Sequence, residues 1–401
     1  MSGLLEGIRV LDFSTNAAGP LASAPMADFG ADVVKIEKPS GADERSFGAQ
    51  DENGVSFICA WLNRGKKSVA LNLKDPRAVD LIKKMIQDFD VLVESARPGA
   101  MEKLGLGYEV LHAINPRLIY CSVSTYGQNG PYRSKSGYDL LAQAMSGLMD
   151  TTGDPSGPPV QVGYPIGDYV SGLNAFASIL AAIIYQQRTG MGQHIDVSLV
   201  NSLLYLNSNI DYVNSGRYLT RNGSHSPSLS PYGVFNGKNG QSMIIGALNP
   251  KMWTALCVVM EKPELAEDDR YNTLQKRVKL RKEVAAVIET WLCEFEDISD
   301  AQRLLENAQI PCGKVYGVKD ILNDPQVQDN HYITNAEAPD NSSRGQYICR
   351  NVNAAFSETP GMIRKAPVLG QHNYDVLCRY GLSREEIDSL EEDWGFRSNV
   401  Q

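Results

Sequence analysis

Histidine is scarce in this chain: five residues in 401. None stands in a His-Glu-x-x-His or Gly-x-Ser-x-Gly setting, so zinc-protease and serine-hydrolase chemistry find no support. Cysteine occurs seven times, at 59, 121, 257, 293, 312, 349 and 378, an odd and scattered set without Cys-x-x-Cys. That spacing argues against a disulfide framework or a zinc ribbon, so no metal site is expected and a reducing, cytoplasmic setting is. Phosphate-binding glycine patterns are missing too. The first βα turn, "DFSTNAAGP", stands where a dinucleotide fingerprint would but lacks Gly-x-Gly-x-x-Gly, and no Gly-x-x-x-x-Gly-Lys-Ser/Thr occurs.

Long apolar runs and charge blocks are also lacking. The longest apolar stretch, around Ala175–Tyr185, is short for a bilayer span, and "MSGLLEGIRVLDF" has no charged segment ahead of a long apolar run; neither a membrane partner nor a signal peptide is expected. Charged residues make up 21% and the formal net charge is -9, which argues against nucleic acid as a partner while leaving room for a local basic groove.

What is there is an alternation. Short apolar strands at Ile8–Phe13, Ala31–Glu37, 68–73, 90–94 and 118–124 are separated by helical stretches, one beginning near Pro20 and one over Pro76–Phe89. This predicts an α/β fold with a parallel, Rossmann-like sheet and a ligand site beyond the carboxyl ends of its strands. After Leu199 the texture changes: "RNGSHSPSLSPYG" reads as linker, "GVFNGKNGQSMIIGAL" as a hairpin, and helical stretches follow at Lys251–Met260, Leu280–Phe295 and Ala301–Ala308. The chain therefore divides into a large α/β segment over 1–198, a linker over 199–224, a small α+β domain over 225–325, and a linker with C-terminal return over 326–401, ending in a helix from Ser383.

Within "QVGYPIGDYVSGLNAFASILAAIIYQQRTG" one carboxylate, Asp168, stands at the mouth of an apolar helix read as buried over Tyr169–Tyr185. Two readings are open. Asp is a favoured N-cap residue. A desolvated carboxylate beside Gly167, which would let substrate approach the backbone, also suits a nucleophile. Basic residues gather near the strand ends: Lys35, Lys38, Arg64, Lys66, Lys67, Lys74, Arg97 and Lys103. They read either as solvated surface charge or as a grip on a phosphorylated ligand.

Six segments, in order, carry a resemblance: "GIRVLDFSTNAAGPLASAPMADFGADVVKIEKPSGAD", "NRGKKSVALNL", "DVLVESARPGAMEKLGLGYEVLHAINPRLIYCSVSTYGQNGP", "GDYVSGLNAFASILAAIIYQQRTGMGQHIDVSL", "IPCGKVYGVKDILNDPQV" and "LGQHNYDVL". With them the chain resembles the class III coenzyme A transferases. The resemblance implies CoA transfer from an acyl-CoA to a carboxylic acid, with CoA thioesters as substrates and no permanently bound cofactor. It places the catalytic aspartate at Asp168, working through aspartyl anhydride and aspartyl-CoA thioester intermediates. It puts CoA contacts on Lys38, Leu71, Lys74, Ser95, Ala96, Arg97 and Lys103, and lines the active site with Thr15, Ala17, Tyr138, Asp139 and Gly167. Asp139, like Asp168, also reads as a helix-start carboxylate.

The same resemblance implies an interlocked dimer, homomeric or heteromeric, with the small domain on two long linkers. Two departures argue against formyl-CoA and oxalate as substrates. Thr15 and Ala17 replace larger polar residues of formyl-CoA transferase, and its glycine-rich loop is not visible. The alternatives are a CoA-binding partner subunit and an enzyme like α-methylacyl-CoA racemase. The latter needs a base on each face of the α-carbon, and the Gly-His-Asp that would supply one reads Gly137-Tyr138-Asp139 here.

Overall fold

The computed structural model describes residues 3–398. Six parallel strands form its main sheet: β1 (Arg9–Asp12), β2 (Asp32–Glu37), β3 (Lys67–Ala70), β4 (Val91–Glu94), β5 (Ile119–Ser124) and β6 (His194–Ser198), in the order β3-β2-β1-β4-β5-β6. The sheet order reverses between β1 and β4, which opens a crevice at their carboxyl ends. Five strands fall where the sequence predicts them. Polar β6, "HIDVS", was not foreseen: it is an edge strand whose first residue, His194, is exposed, so it lacks the apolar run of a central strand.

The chain splits into two compact units. The first comprises the stretch up to Ser146, Gly163–Asn207 and everything from Pro325 on; the second comprises Gly147–Val162 and Ser208–Asp324. Segment 147–162 therefore groups apart from the large segment that was expected to contain it. The two expected linkers also carry structure. Residues 199–224 hold the helix Leu199–Tyr205 and the 3-10 turn Ser208–Ser215, and the region after 326 holds an antiparallel pair, Ile333–Glu337 with Gln346–Arg350. Trp61 fastens that pair to the first unit, donating its indole N–H to the Arg350 carbonyl at 3.1 Å beneath the Arg350 guanidinium. Farther on, Asn373 stitches the tail to β3: its Oδ1 accepts from Ala70 N–H at 2.8 Å and its Nδ2 donates to buried Glu391 at 2.6 Å.

The helix Ala18–Asp28 is buried at every residue. The helix Ile166–Thr189 crosses it, and Gly172 makes this possible: a Cβ there would stand 2.7 Å from the Ala18 carbonyl oxygen. Two expectations for the long helix need correcting. At 24 residues it is long and apolar enough to cross a bilayer. It instead lays one stripe, Ser171, Ala175, Ile179, Ala182 and Ile183, into the core of the first unit, and leaves Leu173, Ile184 and Tyr185 exposed rather than being buried throughout.

Under the first βα turn lies a buried charged layer. Asp12, fully buried, accepts from Lys66 Nζ at 2.8 Å, Ser23 Oγ at 2.6 Å, Ser14 N–H at 2.8 Å and the Ser14 hydroxyl. Lys35 pairs with Glu44 at 3.0 Å and donates to the Ser14 carbonyl at 2.7 Å. Arg64 chelates Asp28, with its shortest contact at 2.5 Å. Burial pushes the Asp12 carboxyl up, but the Lys66 and Lys35 ammoniums outweigh it and hold the group at about 2.

In the second unit, three antiparallel strands, Tyr232–Asn236, Ser242–Gly246 and Cys312–Lys314, carry Phe235, Met243 and Ile245 into a core with Trp253, Leu256, Ile288 and Trp291. The predicted hairpin and the three predicted helices are present, at Pro250–Val259, Arg281–Leu292 and Ile298–Asn307.

Candidate active site

Four strand ends converge on one cavity of about 180 Å³. Thr15 and Asn16 follow β1, Ser95 to Pro98 follow β4, Val123 to Tyr126 end β5, and Leu199 follows β6; Arg133, Lys135, Gly137, Tyr138 and Asp168 complete the wall. The cavity spans the reversal point of the sheet, where α/β folds bind ligands. Thr15 and Ser95 tie the two central loops together: Thr15 N–H donates to Ser95 Oγ at 2.9 Å, and that hydroxyl donates back to the Thr15 carbonyl at 3.1 Å. Asn16 holds the left-handed conformation, φ +66°, which asparagine enters more readily than other non-glycine residues. Buried Glu44 holds it there by accepting the Asn16 N–H at 3.0 Å.

Asp168 does not cap its helix. The N-cap is Pro165, and Asp168 lies inside the first turn. Asp139 takes the capping role from outside: its Oδ1 accepts from Gly167 N–H at 2.6 Å and Asp168 N–H at 3.3 Å, while Oδ2 accepts from Gln143 at 2.6 Å. Here, too, Gly167 differs from expectation. It does not line the cavity, and a Cβ on it would lie 2.8 Å from Asp139 Oδ1, so its missing side chain admits the Asp139 carboxylate rather than a substrate. Relieved of capping, the Asp168 carboxyl faces the cavity with no cation paired to it among the described residues. Burial, reinforced by the neighbouring Asp139 charge, pushes it up to about 7. It is poised to be half ionised near neutrality and is poorly solvated when it is, which suits a carboxylate nucleophile.

Glu94, the last residue of β4, is a second buried acid here. Burial pushes it up to about 7, with Glu102 and Asp196 adding to the effect, although Ser122 and the Ala96 N–H, at 2.7 Å, hydrogen-bond to it. It braces the Ser95–Arg97 loop from below.

Of the residues singled out in the sequence, Thr15, Ser95, Ala96, Arg97, Tyr138 and Asp168 meet on the cavity. Ala17 turns away and packs against the Trp61 cluster. Lys38, Lys74 and Lys103 lie exposed and off the cavity wall, Lys38 paired with Asp43 at 2.7 Å. Leu71 is fully buried in the core, so its side chain offers a ligand no surface. The basic cluster splits: Lys35, Arg64 and Lys66 are spent on buried acids and Lys67 on Asp32, which removes half of the expected phosphate grip. The sequence reading missed Asn16, Tyr126, Arg133 and Lys135. For the last two a signal existed, since they follow β5 directly in "GQNGPYRSKSGYD". For Asn16 none did, because it is held in place by Glu44, 28 residues away.

The family model described as CoA-transferase family III matches residues 5–373. The chain belongs to CoA-transferase family III. It is 35% identical over 386 residues to succinate–glutarate CoA-transferase of Agrobacterium fabrum, covering 93% of this chain and 95% of that one. It is 36% identical over 396 residues to the succinyl-CoA–L-malate CoA-transferase alpha subunit of Chloroflexus aurantiacus, covering 96% and 91%. Among solved structures, a CaiB/BaiF family protein from Brucella suis superposes with a TM-score of 0.83 at 30% identity, over 94% of this chain and 100% of that one. As a family III member the chain is a CoA-transferase, with acyl-CoA thioesters and free carboxylates as its substrates.

Proposed function

We propose that this CoA-transferase exchanges CoA between short dicarboxylic acids, with Asp168 as the covalent carrier. The observation that carries the reading is Asp168 itself: an unpaired, poorly solvated carboxylate on the cavity at the reversal point of the sheet. The substrate class follows the relatives, whose names specify succinate with glutarate and succinyl-CoA with L-malate.

Asp168 attacks the donor thioester carbonyl; the carbon–sulfur bond breaks and CoA leaves as thiolate, giving an aspartyl–acyl anhydride. The thiolate then attacks the aspartyl carbonyl, expels the donor acid as carboxylate, and forms an aspartyl-CoA thioester. The acceptor carboxylate attacks that thioester and expels thiolate to give a second anhydride. Attack of the thiolate on the acceptor's carbonyl releases acyl-CoA and restores the Asp168 carboxylate. Each step exchanges one leaving group for one nucleophile, so the thioester's energy is kept as long as water stays out. Lys38, Lys74, Arg97 and Lys103 are the cations proposed to meet the CoA phosphates. The enzyme is proposed to work in the cytoplasm as an interlocked dimer of identical chains.

The test is intact-protein mass spectrometry after incubation with succinyl-CoA, followed by hydroxylamine trapping and peptide mapping. A hydroxamate on the Asp168 peptide, absent from Asp168→Ala, supports the reading. No adduct, with exchange of a substrate α-proton into deuterated solvent, replaces it with the racemase reading. Sedimentation equilibrium tests the dimer, and a folded, active monomer overturns it.

A further inference from the structure

The cavity wall carries one carboxylate, Asp168, and three cations, Arg97, Arg133 and Lys135. On a chain of net charge -9 that is a reversed local balance. Arg133 and Lys135 belong to the turn between Gly130 and Gly137. The turn is held against β5 by close packing: a Cβ on Gly137 would lie 2.5 Å from Thr125 Cγ2. The Tyr126 hydroxyl also reaches the Ser136 carbonyl, at 3.4 Å, and the Tyr126 and Tyr132 rings meet edge to face. Neither cation has a carboxylate partner among the described residues. Lys135 Nζ rests over the Tyr132 ring at 3.8 Å, and the Arg133 guanidinium has no hydrogen-bond or ion-pair partner there. Other surface cations are divided: Lys38 pairs with Asp43, Lys67 with Asp32 and Arg77 with Asp75, while Lys74 and Lys103 show no ion pair among the described residues.

We propose that Arg133, with Lys135 beside it, holds the distal carboxylate of a dicarboxylic substrate while the other carboxyl reacts at Asp168. This rests on the reading of Asp168 given above and names what selects the acid. Two sources of negative charge compete for these cations: the far carboxylate of the acid and the phosphates of CoA. The cavity decides between them. At about 180 Å³ it is smaller than the roughly 300–1,000 Å³ usual for whole-ligand pockets. A short diacid is of a size to fit it, whereas the whole CoA nucleotide is larger than the space. The uncharged pantetheine arm is what must reach Asp168; of the cations proposed for the CoA phosphates only Arg97 is on this wall, and Lys38, Lys74 and Lys103 lie off it. A planar guanidinium matches a carboxylate two bonds at a time, which gives Arg133 the leading role.

The experiment measures kcat/KM for succinate and for butyrate as acceptors, equal in length and differing in the distal charge, in the wild type, Arg133→Gln, Arg133→Lys and Lys135→Gln. The wild type should prefer succinate. In Arg133→Gln the succinate-to-butyrate ratio should fall about 10- to 100-fold, with Arg133→Lys recovering part of it and Lys135→Gln losing less. A wild type without preference, or a ratio unchanged in Arg133→Gln, overturns the proposal. So does an equal loss on both acceptors with a raised KM for butyryl-CoA, which assigns the cations to CoA phosphate. Failure of the underlying reading has a separate signature: wild-type enzyme that forms no hydroxamate on the Asp168 peptide.

Discussion

Asp12 and Asp168 are both carboxylates shielded from water in the first unit, and they end at opposite extremes. Asp12, at the end of β1, meets an ammonium, two hydroxyls and a backbone N–H and is held at about 2. Asp168, in the first turn of its helix, meets no cation among the described residues, has the Asp139 charge nearby, and is pushed up to about 7. Burial acts on both in the same direction, so the partner decides the sign. One carboxylate is spent on holding two strand ends and a helix together. The other is left with its reactivity intact.

Breaking the reactive member should have the largest effect. Asp168→Asn should lower kcat by at least about 10³-fold in a steady-state transfer assay, because among the described residues the wall carries no second carboxylate to form the anhydride in its place. The next largest effect lies on the structural side. Lys66→Met removes the cation from fully buried Asp12 and should cost about 3–5 kcal/mol by urea unfolding. The hydroxyl that completes the same set contributes less, and Ser23→Ala should cost about 1–3 kcal/mol.

The pH responses sharpen the contrast. The stability that Asp12 contributes is present above the ordinary carboxylate pKa and is lost as pH falls toward 2. Asp168 works the other way: the folded state binds its proton more tightly than the unfolded state, so stability falls as pH rises from about 4 to about 7. The melting temperature of Asp168→Asn relative to wild type should therefore be higher at pH 8 than at pH 5. The smallest shift is the most specific. Asp139→Asn removes the charge that helps raise Asp168, so the acid limb of the kcat/KM profile, rising through about pH 7 in the wild type, should move to lower pH. A limb that stays in place would mean burial alone sets it.

Much of this architecture is legible in the chain. The five apolar strands, the hairpin and the helix starts follow from periodicity and caps, as at Asp75 ahead of Pro76 and Ser383 ahead of Arg384. Asp168 stands out because it is a single charge at the end of an apolar helix. Its neighbourhood was harder to read. Lys66 and Lys103 look alike in sequence, yet one neutralises Asp12 in the core and the other faces water. Leu71, which the resemblance places at the CoA site, points into the core because strand alternation continues past the end of β3.

The sequence by itself determined the alternation of strands and helices, the membership in a CoA-transferase family, and the presence of one carboxylate at the mouth of an apolar helix. These depend on residues close together in the chain or on the chain as a whole. Only the tertiary structure decided that Asp139 caps that helix so that Asp168 need not, that Glu44 holds Asn16 at the cavity wall, and that Lys66 is used up inside while Arg133 and Lys135 remain free. Each of those outcomes depends on which charges meet, and groups 28, 29 or 54 residues apart in the chain meet only once the sheet has brought the strand ends together.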